Sequence, residues 1–260
     1  MVRVYGGSMP FRKTDPDPIA VAHEVTGLRW LARAQPEGAQ VVEVLDHGPD
    51  WLTEPRLASV APNPEEARRF GRRLAHTHAA AAPWLGAAPE GFTGTTGRMG
   101  RAPLPLADHE VTSWGEFTAR YRIEPYLDRI DADAGAVLAR LVERLASGMF
   151  DHDQPALVKG PAARIHGDMW SGNLMWTREG VVLIDPAAQG GHGEDDLAAL
   201  SVFGAPFTEE IRAGYQEESA LAPGWRERIG LHQLHMLVVH CWLFGGGYVG
   251  QTLEVARRYL

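Results

Sequence analysis

The spacing of apolar residues along the chain switches between two periods, and the switches mark its elements. Near the start the pattern is that of a strand. Val2-Arg3-Val4-Tyr5 alternates, Gly6-Gly7-Ser8 supplies a turn, and Phe11-Arg12-Lys13-Thr14 resumes the alternation, which predicts a β-hairpin. Pro16 and Pro18 interrupt it. Over residues 19–34 the apolar positions fall at Val21, Val25, Leu28 and Leu31, the stripe of an amphipathic helix. Val41-Val42-Glu43-Val44-Leu45 then reads as a strand, with Trp51-Leu52-Thr53 as its partner across Asp46-His47-Gly48. Together these elements make a small α+β lobe ending near residue 57.

Beyond that point helices dominate. Asn63 is placed to cap a helix, Pro64 suits its first turn, and Glu65 and Glu66 favour the positive end of its dipole, so a helix is expected to about Ala82. Residues 86–107 are rich in Gly and Pro and carry no period, which predicts a long loop. Residues 113–147 hold two helical patterns broken near Asp131-Ala132-Asp133. In 164–185 the pattern returns to strands: Leu174-Met175-Trp176-Thr177 and Val181-Val182-Leu183-Ile184 flank Arg178-Glu179-Gly180, a second hairpin. Helical spacing resumes at 195–203, 208–219, 225–244 and 250–260.

Composition narrows the class. The 260 residues, 45% hydrophobic and 22% charged, suffice for one large domain or two modest lobes with a packed core. A net charge of −8 argues against nucleic acid as a partner, because phosphate backbones reward clustered Lys and Arg. No apolar run approaches the roughly 18 residues of a membrane span. The basic start leads into no long apolar core, so neither membrane anchor nor signal peptide is expected. The single cysteine, Cys241, excludes an internal disulfide and fits a cytoplasmic location. Lysine occurs only at Lys13 and Lys159, and only Lys13 has a strand-like setting.

The chemistry is concentrated in His166-Gly167-Asp168-Met169-Trp170-Ser171-Gly172-Asn173, followed after the hairpin by Ile184-Asp185-Pro186. An Asp and an Asn separated by four residues on a loop, with a second Asp beyond a hairpin, match the spacing that phosphoryl transfer uses. That reaction needs a group to accept the proton of an attacking hydroxyl, a role Asp168 fits. It also needs hard oxygen ligands for Mg²⁺, which Asn173 and Asp185 supply. Taken singly, each residue is more simply a loop cap; it is the combination that points to ATP and Mg²⁺. The same template asks for a strand lysine and a helix glutamate, and Lys13 and Glu24 stand in those places. Main-chain groups from Thr53 and Glu54 to Leu57 are expected at the hinge that meets the nucleotide.

Several segments carry a family resemblance. They are the 166–173 motif, Asp185-Pro186-Ala187, Gly193-Glu194-Asp195-Asp196-Leu197-Ala198, Ser113-Trp114-Gly115-Glu116-Phe117, and Phe244-Gly245-Gly246-Gly247-Tyr248-Val249-Gly250-Gln251. Phe11-Arg12-Lys13-Thr14 with Glu24-Val25-Thr26-Gly27-Leu28 extends the match over nearly the whole chain. The chain resembles the fructosamine kinase (ketosamine kinase) family, within the aminoglycoside-phosphotransferase-like branch of the kinase fold. The resemblance implies a two-lobed, protein-kinase-like α+β fold: a lobe of residues 1–57, shortened at its first strand and glycine turn, and a mostly helical lobe of residues 58–260. It implies ATP- and Mg²⁺-dependent phosphorylation of a sugar hydroxyl on fructosamine- or ribulosamine-type glycated amines, which serves deglycation. Asp168 would be the base, Asn173 and Asp185 the metal ligands, and Lys13 the phosphate contact. An aminoglycoside or other small alcohol as acceptor stays open, as does a non-catalytic pseudokinase, although the complete Asp168, Asn173 and Asp185 set argues against the latter.

The remaining polar and aromatic positions divide between pocket and scaffold. Trp170 is expected to stack on a sugar face, Glu194 to reach substrate or metal, and Tyr248 to wall the pocket where the glycines end a helix. Asp196 could bond the loop backbone near His166, but capping its own helix is the favoured reading. Of His76 and His78, one should be exposed and one satisfied in the core. His232, His235 and His240 have no acid or cysteine cluster near them in sequence, so they are expected to pack rather than bind metal.

Overall fold

The computed structural model describes residues 9–260, so the strand and turn expected at Val2-Arg3-Val4-Tyr5 and Gly6-Gly7-Ser8 lie outside the described residues. Strand β1 (Phe11–Thr14) leads into helix α1 (Pro18–Ala32), which Asp17 caps by accepting a hydrogen bond from the Ile19 amide. Val21, Val25, Leu28 and Leu31 are buried as their spacing predicts, and His23 and Trp30 are buried as well, so α1 is enclosed on more than one side. Short strands β2 (Gln40–Val41) and β3 (Asp46–His47) precede β4 (Trp51–Glu54). The sheet order is β1-β4-β3, antiparallel throughout, with Lys13 opposite Leu52 and Asp46 opposite Thr53.

This differs from the expected pairing of 41–45 with 51–53. Val41 and Val42 are both buried, which an alternating half-exposed strand would not allow, and β2 pairs in parallel with a strand of the distant second hairpin. The local hairpin is made by Asp46–His47 instead, and Leu45 only donates its amide to the Thr53 carbonyl.

Helix α2 (Pro64–Ala79) begins at Asn63, whose side chain accepts from the Glu66 amide. In place of a loop over 86–107, the chain forms a hairpin, β5 (Thr96–Met99) with β6 (Ala102–Pro105). Pro103 and Pro105 concealed it, since proline normally argues against a strand. The hairpin is pinned to α1: Arg98 Nε reaches Asp17 Oδ2 at 2.7 Å, and the Arg98 amide donates to His23 Nδ1 at 3.3 Å.

Next come α3 (Trp114–Phe117), one π-helical turn (Thr118–Ile123), a 3₁₀ stretch (Glu124–Arg129) and α4 (Ala132–Ala146). Strand β7 (Ala163–Ile165) opens the motif region, and β8 (Leu174–Thr177) and β9 (Gly180–Leu183) form the expected hairpin. Strand β10 (Gln189–Gly191) returns antiparallel to β7, which delivers α5 (Gly193–Ala199) beneath the 166–173 loop. Helices α6 (Thr208–Glu218), α7 (Trp225–Phe244) and α8 (Val249–Arg257) complete the helical part. No described helix is long and apolar enough to cross a membrane.

Candidate active site

The 166–173 loop is held from behind. His166 is buried and its Nε2 donates to the Ile184 carbonyl at 2.9 Å, while its Nδ1 accepts from the Asp168 amide at 3.2 Å. Gly167 has φ +82°, and a Cβ there would stand 2.1 Å from the Ala187 carbonyl oxygen, so no other residue fits this turn. Asp196 on α5 accepts from both backbone amides, His166 at 2.8 Å and Gly167 at 2.9 Å. Thus Asp196 holds the loop, and the capping of α5 falls to His192 instead. His78 Nε2 lies 3.1 Å from the same carboxylate and its Nδ1 lies 2.9 Å from the Tyr215 hydroxyl, whereas His76 is part-exposed beside Glu218.

Asp168 and Asn173 meet across this loop. Asn173 Nδ2 donates to the Asp168 carbonyl at 2.8 Å, to Asp168 Oδ2 at 3.0 Å and to the Asp185 carbonyl at 3.3 Å. Its Oδ1 is therefore the atom left for a ligand. The Leu174–Leu183 pairing brings Ile184 alongside Asn173, and the Ile184 amide donates to the Asn173 carbonyl at 3.2 Å. Asp185 then adopts φ +52°, left-handed for a non-glycine residue, at the point where the chain leaves the hairpin.

From the other lobe, Lys13 Nζ stands 2.9 Å from both oxygens of Glu24 and 2.9 Å from Asp185 Oδ1. Burial alone would lower the Lys13 pKa, but the Glu24 and Asp185 carboxylates outweigh it and raise it. α1 is seated to present Glu24 here: a Cβ at Gly27 would stand 3.0 Å from the Ala188 Cβ, and His23 Nε2 donates to the Ala188 carbonyl at 3.1 Å. Glu54 is buried with Oε1 lacking a partner, and burial, with Glu24 and Asp185 nearby, pushes its pKa up to about 7. Burial likewise raises the Asp168 pKa, with His166, the Asn173 hydrogen bond and His240 offsetting it only in part.

Thr53 is not a free hinge residue. It sits in the central strand of its sheet, and its carbonyl accepts from the Leu45 amide at 2.8 Å. Glu54 ends the same strand, opposite Phe11. Glu194 lies apart from the Asp168–Asp185 centre. It is buried, paired through both oxygens to Arg228 at 2.7 and 3.2 Å, and does not join Asp168 or Asp185. As the second residue of α5, it is carried inward by the helix that positions Asp196.

Trp170 and Tyr248 do come together. Both lie against Phe203 with ring centroids 6.2 Å away, and His240 fills the centre, 4.6 Å from Phe203 and 5.1 Å from Tyr248. Phe244 extends this wall and is 65% exposed, while Trp170 is 38% exposed. Phe203 had no signal in the sequence, because it follows α5 in a turn with no motif around it. The chain thus assembles one acidic centre bridged by a lysine and, beside it, an open aromatic wall.

The sequence profile of the fructosamine kinase family matches residues 13–260. The chain belongs to that family. A mouse ketosamine-3-kinase is 32% identical over 161 residues, 60% of this chain and 50% of its own length, so the chain spans half of that relative. A Thermobifida fusca protein assigned as a fructosamine-3-kinase superposes with a TM-score of 0.85 and 36% identity, covering 98% of this chain and 86% of the other. A choline/ethanolamine kinase family protein from Mesorhizobium loti, 17% identical, shares the fold with a TM-score of 0.60 over 95% of this chain and 84% of its own. The expected two-lobed, kinase-like α+β architecture is the one found.

Proposed function

We propose that the chain is an ATP- and Mg²⁺-dependent kinase that phosphorylates a sugar hydroxyl of a ketosamine, a glycated amine of the fructosamine or ribulosamine type. The observation that carries this reading is a continuous chain of contacts: Asn173 Nδ2 donates to Asp168 Oδ2 and to the Asp185 carbonyl, and Lys13, far away in the sequence, donates to Asp185 Oδ1. Family membership supports the substrate class.

The donor set suits the groups the family implies. An amide oxygen and a part-exposed carboxylate, Asn173 Oδ1 and Asp185, are the hard oxygen donors that Mg²⁺ takes. The Lys13 ammonium is the only described lysine beside them and would meet phosphate oxygens. When bound, the nucleotide supplies the phosphoryl group and the metal neutralises its charge. Asp168 orients the acceptor hydroxyl and takes its proton. The Asn173 amide fixes that carboxylate through Oδ2, and Asp196, through the His166 and Gly167 amides, keeps the loop from drifting. Lys13 is kept in place by Glu24 before any ligand arrives. Trp170 and Tyr248 offer apolar ring faces to the sugar, and the edge of that wall remains open for the amine-bearing remainder.

The direct test is mass spectrometry of the protein incubated with ATP, Mg²⁺ and a panel of fructosyl-amines, ribulosyl-amines and aminoglycosides. Gain of one phosphate on a ketosamine is the expected product. A phosphorylated aminoglycoside with the ketosamines untouched would overturn the substrate class, and intact ATP throughout would overturn the kinase reading.

A further inference from the structure

Behind the 166–173 loop, His152, His192, Glu194 and His232 converge, and one ligand-capable atom from each lies within 4.8 Å of the others. They come from three places: the segment before β7, the start of α5, and the middle of α7. His192, Glu194 and His232 are buried, and the His152 side chain is only 8% exposed. The sequence offered no acid near His232; the fold brings one from a segment 38 residues away in Glu194 and a second imidazole from His152.

The distances have a specific meaning. His152 Nε2 lies 3.0 Å from His232 Nε2, His232 Nε2 lies 3.3 Å from Glu194 Oε2, and His152 Nε2 lies 3.6 Å from the same oxygen. A tetrahedral ion with bonds of about 2.1 Å places its ligand atoms about 3.4 Å apart, so these three atoms already form one face of such a tetrahedron.

The outer hydrogen bonds fix which atoms face inward. His152 Nδ1 lies 2.8 Å from the Phe150 carbonyl, which can only accept, so Nδ1 carries the proton and Nε2 a lone pair. His232 Nδ1 lies 2.6 Å from Asp195 Oδ1 and is oriented the same way, the carboxylate–imidazole arrangement that supports metal-bound histidine. Two Nε2 lone pairs and a carboxylate oxygen thus point at a common centre. A proton on His232 Nε2 would face both His152 Nε2 at 3.0 Å and Glu194 Oε2 at 3.3 Å, whereas a cation would engage all three atoms as ligands. Arg228 occupies the outer edge of Glu194, which leaves the inner lone pair of Oε2 toward the imidazoles. His192 walls the fourth side without a free nitrogen, since its Nδ1 accepts from the Glu194 amide at 3.1 Å and its Nε2 donates to the Asp153 carbonyl at 3.1 Å, so a water would complete a four-coordinate ion.

We propose that His152, His232 and Glu194, walled on the fourth side by His192, form a structural site for a divalent metal of the zinc class, separate from the Asp168–Asp185 centre. Imidazole with one carboxylate is a borderline donor set that favours zinc over magnesium, and burial of these donors apart from the Asp168–Asp185 centre points to a structural role. Its position gives it a purpose. Glu194 is a ligand, Asp195 orients the ligand His232, and Asp196 holds the His166 and Gly167 amides. A metal here would lock the start of α5 to α7 and to the segment before β7, and through Asp196 would hold the 166–173 loop.

The test uses the full chain, freed of metal by a chelator and titrated with Co²⁺ without nucleotide. One equivalent should bind with the visible absorption of a four-coordinate ion and be displaced by Zn²⁺, and excess Zn²⁺ should raise Tm by on the order of 5 °C. His152→Gln, in a loop rather than a helix, should weaken binding by on the order of 100-fold, while Asp185→Asn keeps the absorption unchanged. No absorption and no Tm shift with the wild-type chain would overturn the site, leaving a proton-sharing network. Absorption that survives His152→Gln but vanishes in Asp185→Asn would overturn it equally, by moving the ion to the other centre. X-ray absorption at the zinc edge needs no variant: imidazole scattering supports the site, and its absence rejects it.

Discussion

Lys13 and Asp185 lie 172 residues apart in the chain, and the Lys13 ammonium stands 2.9 Å from Asp185 Oδ1. The same ammonium touches both oxygens of Glu24, so one cation joins β1, α1 and the end of the β8–β9 hairpin. Lys13→Met removes that join. It leaves Glu24 part-buried without its cation and deprives a bound phosphate of a partner. Turnover on a ketosamine should fall on the order of 100-fold, with ATP binding weakened in calorimetric titration and Tm lowered by the acids left without their cation. Wild-type rates with Lys13→Met would remove this lysine from the proposed mechanism.

Asp168 is the group whose ionisation should limit the reaction at low pH. Burial raises its pKa above the ordinary carboxylate value of 3.8. The active form is the carboxylate, so kcat/KM should decline as pH falls through that raised value, and the acid limb of the profile should sit above 3.8. Asp168→Asn should lower kcat by roughly 100- to 10,000-fold and leave ATP binding close to that of the wild type. A pH–rate profile and single-turnover kinetics check both; a limb at or below the ordinary value would place the essential base elsewhere.

The parts of the site that could be read from the sequence are those whose spacing is fixed by local backbone. The Asp168–Asn173 loop and the β8–β9 hairpin fall where their residues predict because each closes on itself over a few residues. The cap of α2 was legible for the same reason at Asn63, whereas α1 begins at Pro18 with Asp17 as its cap, which its apolar stripe did not suggest. What could not be read depends on long-range contact. β2 takes its partner from β9 rather than its neighbour, and the β5–β6 hairpin was hidden by prolines that its edges tolerate. Glu194 was expected to reach substrate or metal, and its burial was not legible, because a helix with an acidic first turn buries those acids only when histidines and an arginine arrive from elsewhere. Phe203 and His240 became part of the aromatic wall only once α7 folded back beside Trp170.

Asp196 should be a positioning residue of more than usual effect, since its two oxygens serve the His166 amide, the Gly167 amide and His78. Asp196→Asn replaces one acceptor with an amide that faces an N–H. The expected destabilisation is on the order of 2–4 kcal/mol in urea unfolding, from donors left buried and unpaired. Below the unfolding transition, kcat should also fall while KM for ATP stays near the wild-type value, because the displaced element is the Asp168 loop and not Lys13. A loss of stability with kcat unchanged would show that the loop keeps its geometry without this carboxylate.

Glu54 supplies the opposite kind of test, a charge the fold opposes. Its pKa is pushed up to about 7 by burial and by Glu24 and Asp185, against an ordinary value of 4.5. Between these two pH values the folded chain holds a proton that the unfolded chain releases, so this residue makes stability fall as pH rises from about 4.5 to about 7 and then level off. Glu54→Gln keeps the shape and removes the penalty. In the nucleotide-free protein the variant should therefore match the wild type near pH 4.5 and exceed it above pH 7, by on the order of 1–3 kcal/mol after allowance for screening. Thermal melts of both proteins across this range decide the matter. A difference that stays constant with pH would mean that Glu54 is ionised throughout and that Lys13 already shields it from its two acidic neighbours.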